Sequence, residues 1–274
     1  MTLNLALARQ TFKPSKMTGI VTLPLVPLRQ SDSERSEMTS QLLFGELVEI
    51  REVHERWLLV CNLADNYSGW VDRKMIKILE TEELQLLTKS HSFRVCVPLS
   101  VCKKTTSNET MFLPGGSILS AITENDCVIG DENFKVDASD IFVSNEISAE
   151  QIVTLAKQYL NAPYLWGGKS VMGIDCSGLV QLVFSICEIQ LPRDASQQVE
   201  KGKVVDFLSE SIAGDLAFFE NTEGKISHVG ILLNPSQIIH ASGWVKIENI
   251  DKQGIISAKT GEYTHKLKLI KRII

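Results

Sequence analysis

Residues 164–189 read YLWGGKSVMGIDCSGLVQLVFSICEI, and the fold of the last part of the chain turns on this stretch. From Cys176 onward apolar side chains fall on nearly every face of a 3.6-residue period, which predicts a helix buried all round. Asp175 is the residue type that accepts a backbone N–H at a helix start, so the helix is expected to begin at Cys176. A cysteine in a first turn meets unpaired N–H groups and the positive end of the helix dipole. Both favour the thiolate, the nucleophilic form of sulfur. Cys187, deeper in the same helix, reads as a small packing residue.

Upstream, SAEQ at 148–151 is a capping box with Ser148 at the N-cap, and Ile152, Leu155, Ala156, Tyr159 and Leu160 then recur on one helical face. Downstream, DLAFF, HVGILL, QIIHAS and KLKLIKRI read as strands. Residues 148–274 are therefore expected to form an α+β domain, helices first and an antiparallel sheet after. Residues 17–80 are strand-like throughout (GIVTLPLVPLR, QLLFGELVEIREV, RWLLVCNL, GWVDRKMIKIL), with turns expected at Asp65-Asn66 and Ser68-Gly69. That spacing predicts a small all-β barrel or sandwich. A charged helical connector, LETEELQLLTK, follows, and residues 90–145 repeat the short-stranded rhythm with a turn at Pro114-Gly115-Gly116, a second small β region of the same kind by pattern.

The chain has 274 residues, enough for two or three domains, and its 44% hydrophobic and 22% charged residues are those of a folded protein. Lys and Arg number 28 against 33 Asp and Glu, a net charge of -5, so the electrostatic drive toward nucleic acid or an anionic membrane surface is lacking. No uncharged apolar run approaches the ~18 to 20 residues of a membrane helix. The first sixteen residues place apolar Leu3 to Ala8 ahead of Arg9, the reverse of a secretory signal, and a cytoplasmic location is expected. Six cysteines without a CxxC pair match neither a disulfide framework nor a zinc site, and no cofactor or metal is expected.

A thiolate nucleophile needs a general base, and the base needs a third group to hold its tautomer. His228 opens the strand HVGILL and His240 lies near the end of QIIHAS. If these strands form a hairpin centred on Asn234, the two histidines stand directly opposite each other on one face. His54, His91 and His265 lack such a context.

The segments YLWGGKSVMGIDCSGLV, PRDASQQ, HVGILL and IIHASG resemble those of the NlpC-type bacterial cell-wall cysteine peptidases, a papain-like family. The resemblance spans about Ser148 to the C-terminus and implies Cys176 as nucleophile, His228 as base, His240 as orienting residue and Tyr164 as a donor to the oxyanion site. The strand-rich first half resembles bacterial SH3-like domains. Two SH3-like barrels (17–80 and 90–145) before a papain-like α+β peptidase domain (148–274) resemble the γ-D-glutamyl-L-diamino acid endopeptidases. The resemblance implies hydrolysis of murein peptides that carry a free N-terminal L-Ala.

Asp175 beside the nucleophile opposes thiolate formation by like-charge repulsion. A substrate ammonium would offset it, and the resemblance implies that Asp175, with Glu37 and Tyr67 of the first barrel, binds the free amine of L-Ala. Ser177, Trp166, Arg193, Asp194 and Ser196 also match substrate-site positions of the family, while Ala195 stands where a serine is common there. Two other readings stay open at this stage: an acyltransferase or amidase on another small amide, and a wall-binding protein with a vestigial catalytic domain.

Overall fold

The strand Leu216–Glu220 is apolar on both faces, and this sets the layering of the last part of the chain. Leu216 and Phe218 join Val229 and Ile231 in the core that holds Leu179, Val183 and Phe184 of the helix Cys176–Ile186. Ala217 and Phe219 point the other way, into a second core with Leu232, Ile238, Ile250, Ile255 and Ile270. That second core is the inside of a closed sheet. The strands run Lys203–Val205, Tyr263–Arg272, Leu216–Glu220, Ile226–Asn234, Gln237–Ser242, Trp244–Ile250 and Gly254–Ile256, all antiparallel, and Tyr263–Arg272 pairs back onto Gly254–Ile256. As the sequence pattern predicts, the helices come first: Ala149–Lys157, capped by Ser148 and Gln151, then Cys176–Ile186, in which only Ser185 escapes full burial.

This computed structural model describes residues 17–90, 92–120, 126–129, 132–142 and 147–274. The N-terminal segment read for targeting, and His91, lie outside the described residues. Strands between Met17 and Ile78 form a seven-stranded antiparallel sheet around Val26, Leu28, Leu42, Leu58, Val60 and Val71. The Asp65-Asn66 turn forms as expected: Asn66 takes φ 60° and Asp65 Oδ1 accepts the Tyr67 N–H at 2.9 Å. Ser68-Gly69 does not turn and instead opens the strand Ser68–Asp72. Gly69 is needed there for close approach, because a Cβ would stand 2.6 Å from Leu28 Cγ and 2.9 Å from Arg29 O. The helix Thr81–Lys89 connects to a second region, a four-stranded sheet and a separate strand pair, whose core includes Phe134, Leu113 and Val136 together with Ile20 and Phe44 of the first.

The first β region is seated on the helix-bearing region by buried polar contacts as well as by Leu43, which enters the core around the Cys176–Ile186 helix. Lys169 Nζ meets Glu46 Oε1 at 3.3 Å with both side chains almost wholly buried. The other Glu46 oxygen accepts the Leu43 N–H and the Asn62 amide. The Lys169 N–H donates to Gln41 Oε1 at 2.7 Å, and Arg193 Nε donates to Ser40 Oγ at 3.0 Å. A buried pair of this kind costs most when one partner is removed, since the other charge is left dry and unpaired. Lys169→Met is therefore expected to destabilise the fold by about 3 to 5 kcal/mol and to lower the thermal midpoint by roughly 5 to 15 °C, read by calorimetry. The double variant Lys169→Met/Glu46→Gln should recover most of that loss.

Candidate active site

Asp175 caps the helix that carries Cys176, as its residue type predicts. Its Oδ1 accepts the Gly178 N–H at 2.7 Å, and its Oδ2 accepts the Gly167 N–H at 2.8 Å. Arg193, buried, closes on both oxygens, with Nη1 at 3.0 Å from Oδ1 and Nη2 at 2.6 Å from Oδ2, and Nη1 also donates to Ser177 Oγ at 2.9 Å. The charge that offsets Asp175 is thus resident. It is Arg193, where the sequence suggested a substrate ammonium.

Cys176 is buried, and its sulfur faces the backbone N–H of Val229, the residue after His228. Burial first, and then the Asp175 charge, push its thiol up to about 11, against the opposing pull of the Val229 and Ser177 N–H groups. The pull of the helix start toward the thiolate, expected from the sequence, is present but is outweighed by this burial and by Asp175. A first-turn position supplies fractions of a charge, and desolvation outweighs it.

His228 and His240 meet, by a register different from the one expected. The hairpin pairs Ile231 with Ile239 and Leu232 with Ile238, then bulges before Asn234. Continuing that register sets Gly230, two residues on from His228, opposite His240. Both histidines keep the same face because the offset is even. A Cβ on Gly230 would lie 2.9 Å from His240 Cβ, so the missing side chain is what lets the imidazoles reach each other diagonally. His228 Nε2 and His240 Nδ1 are 2.9 Å apart, and His240 Nε2 is 2.9 Å from Glu248 Oε2. Burial would raise the Glu248 carboxyl, but the His240 hydrogen bond, the Ala258 N–H and nearby Lys246 hold it at about 2. A carboxylate here fixes the rest of the chain: His240 donates from Nε2, its Nδ1 accepts from His228 Nε2–H, and His228 Nδ1 is left as the free base. Burial, reinforced by His265 and His240, drives the His228 imidazole well below its usual range.

His265, set aside by the sequence reading, stacks on His228 with ring centroids 4.1 Å apart and planes 28° apart. Burial and His240 bring it down to about 4. The ligand atoms of His228, His240 and His265 lie within 4.8 Å of one another, a group that could hold a metal ion. Stacked rings aim their in-plane lone pairs side by side, however, and His228 Nε2 and His240 Nδ1 are engaged with each other. The cluster is built as a proton relay under a stacked ring rather than as a tetrahedral site.

One cavity of about 520 Å³ gathers Cys176 with Tyr164, Trp166, Asp175, Ser177, Arg193, Asp194 and Ser196, and with Glu37 and Tyr67 from the first β region. Residues about 130 positions apart thus meet directly, as Trp166 Nε1 donates to Glu37 Oε1 at 2.6 Å. Burial and the neighbouring Cys176 push the Tyr164 phenol up to about 12, so it stands in the cavity as an O–H donor. Tyr67 is likewise raised by burial and by Asp194. The sequence reading missed two members, Glu248 and His265. Glu248 was legible in principle, since Ser242-Gly243-Trp244 is a tight turn that pairs His240 with Lys246 and puts Glu248 on the same face one step on. His265 had no such signal, because closure of the sheet brings it in.

Residues 161–263 match the NlpC/P60 family, and residues 28–76 match the bacterial dipeptidyl-peptidase Sh3 domain. This chain carries an NlpC/P60 cysteine peptidase domain behind a bacterial dipeptidyl-peptidase SH3 domain. It is 29% identical over 217 residues to a γ-D-glutamyl-L-lysine dipeptidyl-peptidase of Bacillus subtilis (strain 168), covering 74% of this chain and 71% of the relative. It is 25% identical over 265 residues to dipeptidyl-peptidase 6 of Lysinibacillus sphaericus, covering 86% and 93% respectively. The crystal structure of an NlpC/P60 family protein from Bacillus cereus superposes with a TM-score of 0.80 over 93% of this chain and 99% of that one, at 18% identity, a likeness of fold.

Because the base is depressed by burial, protonation of His228 should begin to silence the enzyme only well below pH 6.5. The kcat/KM profile is therefore expected to stay flat through pH 6.5 and to fall on the acid side. Glu248→Gln removes the charge that holds a proton on the relay, so its acid limb should move to still lower pH while kcat drops roughly 10- to 100-fold. A limb that moves upward would contradict the relay.

Proposed function

We propose that the protein is a cysteine peptidase that hydrolyses the γ-D-glutamyl bond to a diamino acid in murein peptides with a free N-terminal L-Ala. The observation that carries this reading is the shared cavity, in which Glu37 and Tyr67 of the first β region face Cys176 and Tyr164 of the peptidase domain. A cavity walled by a second domain accepts a peptide that ends inside it. A carboxylate and a phenol at that end suit an ammonium group.

In this mechanism Cys176 Sγ attacks the γ-carbonyl carbon of D-Glu as its proton passes to His228 Nδ1. Alone, thiolate and imidazolium are each disfavoured by burial, so they form as a pair, with His240 and Glu248 bearing part of the positive charge. The oxyanion takes hydrogen bonds from the Tyr164 hydroxyl and from N–H groups at the helix start. Collapse expels the diamino acid amine, which takes the proton from His228 and leaves a thioester. Water, deprotonated by His228, then releases L-Ala-γ-D-Glu. No cofactor enters these steps. The complete relay also speaks against a vestigial catalytic domain.

The same reading takes 90–145 as a second SH3-like barrel, 148–274 as papain-like, and recycling of wall peptides in the cytoplasm as the setting. Fractionation that finds the native protein only in the cell envelope would overturn that setting. Cys176→Ala is expected to abolish turnover with an unchanged melting profile. For the wild type, L-Ala-γ-D-Glu-diaminopimelate should be cut after D-Glu, and acetylation of the L-Ala amine should lower kcat/KM roughly 30-fold or more, since it removes a charge from a closed site. Glu37→Ala and Tyr67→Phe should impair the free peptide and narrow that gap. Equal cleavage of free and acetylated peptides would refute recognition of the amine.

A further inference from the structure

A second cavity, about 1150 Å³, opens on the far side of the catalytic histidine. Ser227, which precedes His228, lines both this cavity and the one around Cys176, and His265, stacked on His228, lines only the second. The chemistry of acyl transfer assigns the two. The acyl half of the substrate fills the cavity between Cys176 and the first β region. The leaving amine must collect its proton from His228, so the leaving group has to lie on the His228 side.

The charges lining this second cavity nearly all have partners within the protein. Glu220 holds Lys266 at 2.6 Å and Lys268 at 2.7 Å, and Glu223 pairs with Lys225 at 2.9 Å. Tyr263, also in the wall, donates its hydroxyl to Asp251 at 2.5 Å, which occupies the acid beside Lys252. Lys252 itself is exposed, in the turn between Trp244–Ile250 and Gly254–Ile256, and takes part in no ion pair among the described residues. It lies in the field of Asp251 but makes no close ion pair, so its ammonium group can turn to a ligand in the cavity.

We infer that this second cavity is the subsite for the leaving diamino acid and that Lys252 reads the carboxylate at the far end of a diaminopimelate side chain. Lysine carries no carboxylate there, so the subsite favours diaminopimelate. The inference rests on the peptidase reading above and names the residue that sets its leaving-group preference. Lys252 lies in an exposed turn and is not among the residues that line the cavity around Cys176, so its replacement leaves the reacting groups intact.

The test compares kcat/KM for three peptides: L-Ala-γ-D-Glu-L-lysine, L-Ala-γ-D-Glu-meso-diaminopimelate, and the latter with its side-chain carboxylate amidated. The wild type is expected to prefer the free diaminopimelate peptide over both others by roughly threefold to tenfold, the range of a single solvent-facing ionic contact. Lys252→Gln should bring that peptide down to the level of the other two and leave those two within about twofold of their wild-type rates. An unchanged diaminopimelate rate, or an equal loss on all three, overturns the subsite while leaving the peptidase reading standing. Failure of the wild type to turn over any of the three overturns the peptidase reading, and the subsite with it.

Discussion

The carboxylate of Asp175 is bound from three directions at once. It caps the helix of Cys176 through Gly178, holds the Tyr164–Gly168 loop through the Gly167 N–H, and receives both terminal nitrogens of Arg193. Arg193 in turn donates to Ser40 of the first β region. Cys176, the loop bearing Tyr164 and Trp166, and the domain that walls the cavity therefore share one buried ion pair. Such a pair adds little net stability over an apolar substitute, because desolvation consumes most of the Coulomb gain. What it contributes is position: with every near oxygen engaged, the helix start has one arrangement relative to the domain facing it.

Burial governs the chemistry in the same way. His228, His240 and Glu248 sit on the inner face of the closed sheet, on the side of Phe219, Ile238 and Ile250, where water cannot stabilise a lone charge. Cys176 is raised and His228 lowered chiefly for that reason. In the proposed mechanism the proton stays on sulfur until transfer to His228 creates two opposite charges together. Glu248, kept ionised by its hydrogen bonds, is the fixed charge toward which the imidazolium forms.

The two cavities meet at Ser227, and different parts of the fold shape them. The first is walled in part by a separate β domain, whereas the second is made by the turns and strand ends of the closed sheet. In the reaction proposed here, such a scaffold would let the acyl side be selected by domain packing and the leaving side by short surface turns, where single substitutions are tolerated.

Much of this was legible along the chain because it depends on local rules. Asp175 at a helix start, the apolar run after Cys176, the capping box at Ser148 and the alternation in the strands each follow from neighbours a few residues apart. Their consequences could be read too: a cysteine in a first turn and two histidines twelve positions apart on one face, a parity that survived even where the hairpin register differed by two. What the sequence could not supply were contacts made by closure and docking. His265 reaches His228 only because Tyr263–Arg272 pairs back onto Gly254–Ile256, Arg193 finds Asp175 through a loop, and the high thiol pKa of Cys176 comes from atoms packed around it. Local pattern determines which face a side chain takes. Desolvation and long-range pairing depend on what is brought against that face, and only the assembled tertiary structure decides it.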